Sequence, residues 1–181
     1  MDIHQTVSYA NFIKSIGWTV EKVDGVYAFI KTFPFVGSVI KIQRPKKIPS
    51  ISSLKKLKEK YRAFSMTIEP SLKFKVTDAR LKNLKLSNTQ YLPTKTICID
   101  LKQPKEKLFQ SFSESTRRAI RRARKNNVEI IESDNIEAFI ALKKKQFSPL
   151  GFLFTRDIRP LWKSMSHKHA TLLLAYSGHA E

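Results

Sequence analysis

The stretch Phe112 to Glu132, FSESTRRAIRRARKNNVEIIE, restricts the fold more than any other. Arg117, Arg118, Arg121, Arg122, Arg124 and Lys125 place six cations in nine positions. At ~100° per residue these six fall within an arc of about 160°, while Phe109, Phe112, Ala119, Ile120 and Ala123 fall on the opposite side. The pattern is an amphipathic helix whose cationic face carries no carboxylate. Asn126-Asn127 ends it, because Asn tolerates the left-handed geometry of a C-cap. Val128 to Ile131 then reads as a strand. Like charges at i, i+3 and i+4 spacing repel one another, so an anionic partner is expected on this face.

Composition widens that expectation to the whole chain. A net charge of +19 over 181 residues attracts nucleic acid, phosphorylated metabolites or an anionic membrane, and charge alone does not choose among them. The length suits one generous domain or two small ones. The hydrophobic share of 41%, with twelve Phe, is enough for a core and excludes a disordered chain. Cys98 is the only cysteine, which excludes an intramolecular disulfide and a Cys-based metal site; in Thr96-Ile97-Cys98-Ile99 it reads as a small core residue. The N-terminus has no apolar signal core and no apolar run approaches the ~18 residues of a membrane span, so a cytosolic protein is expected.

Taken in order, Tyr9, Phe12, Ile13 and Ile16 form the apolar stripe of a helix over Gln5 to Ile16, stopped by Gly17. Trp18 to Val23 and Val26 to Ile30, joined by Asp24-Gly25, read as a hairpin with a type I′ turn. Ser38 to Gln43 is a third strand. Pro45 and Pro49 bracket a loop into a helix over Ser53 to Tyr61, capped by Ser50, Ser52 or Ser53. A strand over Arg62 to Glu69 follows, then a helix over Val76 to Leu86 with Val76, Leu81 and Leu84 inward, then a strand over Thr94 to Leu101. Such alternation predicts an α/β (α+β) domain with a mixed sheet flanked by helices.

The second half repeats this logic. A helix starting near Pro104 is expected to run to Lys125, ahead of the strand at 128–132. Asp134 is expected to cap a helix that turns Ile136, Phe139, Ile140 and Phe147 inward. Pro149 to Gly151 breaks it, and Thr155 starts another through Trp162. Thr171 to Tyr176 reads as a strand and Ser177-Gly178-His179 as a hairpin turn. A hairpin without its second arm leaves an open edge. The expected division is a first half at 1–102 and a second at 103–181, the latter cut short as in a truncated reading frame.

The element order resembles the acyltransferase fold of the GNAT superfamily. Three local features are more specific: Lys14-x-x-Gly17-Trp18 closing a helix, Ile99-Asp100-Leu101 closing a strand, and the run from Arg117 to Ile130. Together they resemble the Fem-type aminoacyltransferases (FemABX), which build peptidoglycan bridges with two GNAT-like halves. The resemblance covers most of this chain but only the opening part of the family's second half. It implies transfer of an amino acid from aminoacyl-tRNA to the stem peptide of a UDP- or lipid-linked muramyl peptide. It implies further that Lys14 and Arg156 contact the acceptor's phosphates, and that the basic helix lies near precursor, tRNA or anionic headgroups. The location implied is the cytoplasm, or the inner face of the cell membrane. Arg offers phosphate a planar fork and Lys a point charge, and Thr155-Arg156 would open a helix, whose N-terminus favours anions.

No acid–base constellation stands out. Glu69, Asp78, Asp100 and Asp157 lack partners at a catalytic spacing, His4, His167, His169 and His179 lack metal spacing, and Lys143 to Lys145 read as a solvated face. The loop Arg44 to Ser50, where an acetyl-CoA enzyme of this superfamily would cradle a pyrophosphate, holds two prolines and no glycine, which argues against CoA; no cofactor is expected. Two other readings stand beside the Fem type: a non-catalytic nucleic-acid or polyanion-binding module using residues 117–125, and another N-acyltransferase of the GNAT superfamily.

Overall fold

The computed structural model describes residues 2–71, 84, 85, 87, 97, 99–166 and 168–177. The chain forms two compact units, one of residues 1–95 with 153–170 and the other of residues 96–152 with 171–181.

The first unit is built on a four-stranded sheet in the order β1 (Thr19–Val23), β2 (Val26–Phe33), β3 (Gly37–Gln43), β4 (Ala63–Glu69). The first two pairings are antiparallel and β3–β4 is parallel, which makes the sheet mixed as expected. A parallel pair needs a crossover, and α2 (Ile51–Lys60) supplies it. Strand alternation explains the two cores. Val26, Ala28 and Ile30 of β2 face one way and pack with Ile40, Ile42, Ile48, Leu54, Leu57 and Ala63, under α2. Phe29 faces the other way and packs with Phe12 and Ile13 of α1 (Val7–Ser15).

Polar groups fix how these layers meet. The Gln5 amide bridges the ends of two strands, donating to Tyr27 O (3.2 Å) and Gln43 O (2.8 Å) and accepting from Tyr27 N (2.8 Å). In the β1–β2 turn, the Asp24 carboxylate accepts from Ser50 N (2.8 Å) and Ser53 Oγ (3.0 Å), and Ser50 Oγ caps α2 by accepting from Ser53 N (3.2 Å). Later in the chain α7 (Ile158–Met165) returns to pack on α1.

In the second unit, α3 (Lys105–Ser111), α4 (Glu114–Lys125), β5 (Val128–Glu132) and α5 (Ile136–Gln146) follow one another. β6 (Leu173–Ser177) pairs antiparallel with β5, from Val128 opposite Ser177 to Glu132 opposite Leu173. The short α6 (Gly151–Thr155) follows α5 after a turn, its first two residues in this unit and the rest in the first. Gly151 is needed there because a Cβ would sit 2.5 Å from the carbonyl oxygen of Lys144.

Several expectations need correction. One helix over 104–125 is in fact two, broken at Phe112, whose extended backbone (φ −74°, ψ 151°) lets Ser113 cap α4 by accepting from Thr116 N. Asn135, not Asp134, caps α5, accepting from Ala138 N. In α5 only Ile140 is fully buried, and Phe147 stays exposed. Thr155 ends α6 rather than starting a helix; the next begins at Ile158, with Pro160 in its first turn, where a missing N–H is harmless. The expected helix at 76–86 lies outside the described residues except for Leu84 and Lys85, as does half of the expected strand at 94–101, Cys98 included. The described residues of that segment are not in a strand: Ile97, Ile99 and Asp100 are irregular, and Leu101 lies in a turn, where Lys102 N donates to Asp100 Oδ1 (3.0 Å).

Candidate functional site

The cationic helix forms as expected, yet its six cations divide into two sets. Arg117 reaches back across the break and donates to Gln110 O (2.8 Å) and Phe112 O (2.9 Å), satisfying carbonyls left open at the end of α3. The Arg121 guanidinium lies over the Phe109 ring, 5.7 Å from its centroid. Arg118 pairs with Glu114 at 2.6 Å, so the cationic face does carry a carboxylate, contrary to expectation. Both partners are well solvated, and an exposed i, i+4 pair contributes only about 0.3–0.5 kcal/mol. Arg122, Arg124 and Lys125 form the second set. They lie in the last turn of α4, are exposed, and have no hydrogen bond or ion pair among the described residues. Cations there favour the helix dipole and remain available to an external anion.

Lys14 lies in the last turn of α1, exposed, with its ammonium free among the described residues. Arg156 lies in the turn between α6 and α7, and its Nε donates to Asp157 Oδ1 at 3.0 Å. That hydrogen bond, and then the carboxylate's charge, hold the guanidinium above its ordinary pKa. Asp157 is itself the N-cap residue of α7, so an anion arriving at that helix end meets a resident carboxylate. Both residues belong to the first unit, one on α1 and the other just ahead of the α7 that packs against it.

Sequence reasoning missed a polar chain at the carboxyl ends of the parallel strands. Tyr9 OH donates to Gln43 Oε1 (3.3 Å), and Gln43 Nε2 donates to Glu69 Oε2 (3.4 Å). Burial, and then the Glu69 and Asp2 charges, push the Tyr9 hydroxyl above its ordinary pKa, so it is a neutral donor at physiological pH. The one signal in sequence is a polar residue closing each parallel strand, and nothing local says that Tyr9 joins them.

Pro45, Ile48 and Pro49 are buried, and the amide of Ser50 at the entrance to α2 is taken by Asp24. The loop from Arg44 to Ser50 therefore fills core and anchors a helix.

This arrangement, a mixed sheet with a parallel β3–α2–β4 crossover and helices on both faces, is a FemX-like mixed α/β fold. Among solved structures, the chain is similar to the crystal structure of FemX, with a TM-score of 0.72 and 21% identity over 96% of this chain. The match takes in 52% of the FemX chain, so this chain spans about half the length of that protein. No family model matches the chain, and no curated protein does so at a significant level. The resemblance to Fem-type proteins read from Lys14-x-x-Gly17-Trp18, Ile99-Asp100-Leu101 and the Arg117–Ile130 run is thus borne out as a likeness of fold.

Proposed function

We propose that this chain is part of a Fem-like transferase that adds an amino acid from aminoacyl-tRNA to the stem peptide of a peptidoglycan precursor. The observation that carries the reading is the FemX-like fold over 96% of the chain. Free cations at Lys14 and on the last turn of α4 support it, since a diphosphate-bearing acceptor and a tRNA donor are both polyanions. In the reaction, a stem-peptide amine attacks the ester carbonyl of the aminoacyl-tRNA. The tetrahedral oxyanion collapses to an amide and the terminal ribose hydroxyl leaves with a proton. Such a step gains most from positioning and oxyanion stabilisation and needs no covalent enzyme intermediate. In this reading Lys14 and Arg156 bind the acceptor's phosphates, Arg122, Arg124 and Lys125 meet tRNA or precursor, and the protein works in the cytoplasm, at the inner face of the membrane when the acceptor is lipid-linked. The engaged amide of Ser50 supports a donor other than CoA.

Binding of UDP-linked muramyl pentapeptide at moderate salt, with duplex RNA of matched charge as competitor, tests the reading. Saturable precursor binding, weakened about tenfold (~1.4 kcal/mol) by Lys14→Ala or Arg156→Ala, is expected. Indifference to precursor, with salt-steep RNA binding untouched by either substitution, overturns it. That outcome would favour a polyanion-binding module, the reading for which the unpaired cations of α4 speak directly.

A further inference from the structure

The turn between β2 and β3 ends in apolar side chains that the first unit does not use. Phe33 closes β2, Pro34-Phe35-Val36 make the turn, and Phe64 stands beside it on β4. Phe35 is fully exposed, Val36 is 68% exposed and Phe64 56%. The Phe33 and Phe64 rings meet at 6.4 Å at the base of the turn, and these exposed side chains make an apolar knob.

Two features show that the tip is held outward. Phe35 has φ 64°, a left-handed conformation that costs a bulky side chain energy and that glycine would adopt freely. A strained aromatic that contacts no core points to a use outside the fold. The turn is also locked from behind. Ser38 donates to Arg62 O through its amide (3.3 Å) and to Tyr61 O through its hydroxyl (2.8 Å), and a Cβ on Gly37 would lie 2.5 Å from Arg62 O.

Cations stand next to the knob. Arg62 is exposed beside it, and Lys58 is exposed in the last turn of the helix leading to Arg62. Lys60 of that turn is paired with Glu21, and the Lys31 ammonium donates to Gly17 O (2.9 Å). The result is a small, exposed apolar tip accompanied by the exposed cations Arg62 and Lys58. It suits a fluid surface with an apolar interior and anionic headgroups.

We propose that the β2–β3 tip is a membrane wedge, which seats Phe35 and Val36 in the interfacial zone of an anionic lipid bilayer. This rests on the peripheral-membrane part of the reading above and names the residues that make the contact.

The test is co-sedimentation of the full chain with vesicles of phosphatidylglycerol and phosphatidylcholine, against phosphatidylcholine alone. No precursor or tRNA is present, so the outcome is independent of the transfer reaction. Phe35→Gly relieves the strained backbone and should leave thermal stability equal or higher, while lowering partition into anionic vesicles about tenfold. Phe35→Trp should retain binding and show a blue-shifted emission that brominated lipid quenches more than in the native chain. Three results overturn the proposal: no vesicle binding by the native chain, which would assign the knob to a protein partner; unchanged partition of Phe35→Gly; or a Trp at 35 that stays in water on bound vesicles.

Discussion

Asp24 shows how much one turn residue settles. The sequence assigns it to a hairpin turn with Gly25, which it makes at φ 49°, but its carboxylate also holds the entrance of α2 through Ser50 and Ser53. The Ser50 amide, and then the Ser53 hydroxyl, hold the Asp24 carboxyl below its ordinary value of 3.8. The ammonium of Lys60, then the hydroxyl of Tyr61, do the same for Glu21 below 4.5. A carboxyl whose pKa falls on folding contributes stability above its unfolded pKa and loses it as pH falls through the folded one. The thermal midpoint should therefore be level near neutrality and decline once the pH drops below those ordinary values. The double variant Glu21→Gln, Asp24→Asn should start lower at neutral pH and decline less steeply in acid. Parallel acid limbs in scanning calorimetry would refute the assignment.

At the scale of elements, the division of α4 into bound and free cations has a measurable form. Arg117 serves the α3–α4 junction, whereas Arg122, Arg124 and Lys125 face solvent. Arg117→Ala should lower the thermal midpoint and leave the salt slope of RNA binding nearly unchanged. Replacing the free three with Ala should leave the fold intact and flatten that slope by about 2–3, near one unit for each phosphate no longer neutralised. Equal slopes from both variants would erase the distinction. The helix itself was legible because six cations in nine positions admit one periodicity, and β1 to β3 because Asp-Gly and alternating apolar residues are local signals. The break at Phe112 was less so. It depends on Ser113 outcompeting helix continuation, and on Arg117 reaching carbonyls five and seven residues back. The same limit moved the start of the last helix from Thr155 to Ile158, and it hid the link from Tyr9 through Gln43 to Glu69, which spans sixty residues of sequence.

Across the whole molecule, the first unit is assembled from two distant pieces of chain, and no periodicity announces that residues 153–170 return to the helix near the N-terminus. Met165, 2% exposed, is the buried residue of the returning helix α7. Met165→Ala should destabilise by ~2–5 kcal/mol as a core truncation. Trp18 and Trp162, the chain's two tryptophans, both lie in this unit, so fluorescence should show the lowered denaturation midpoint directly. An unchanged midpoint would mean that the returning helix is only loosely attached. The return also sets a schedule for synthesis. Residues 96–152 must leave the ribosome before the closing segment exists. At ~5–20 residues per second that takes roughly 3–11 s, during which the outer face of α1 waits uncovered on the nascent chain.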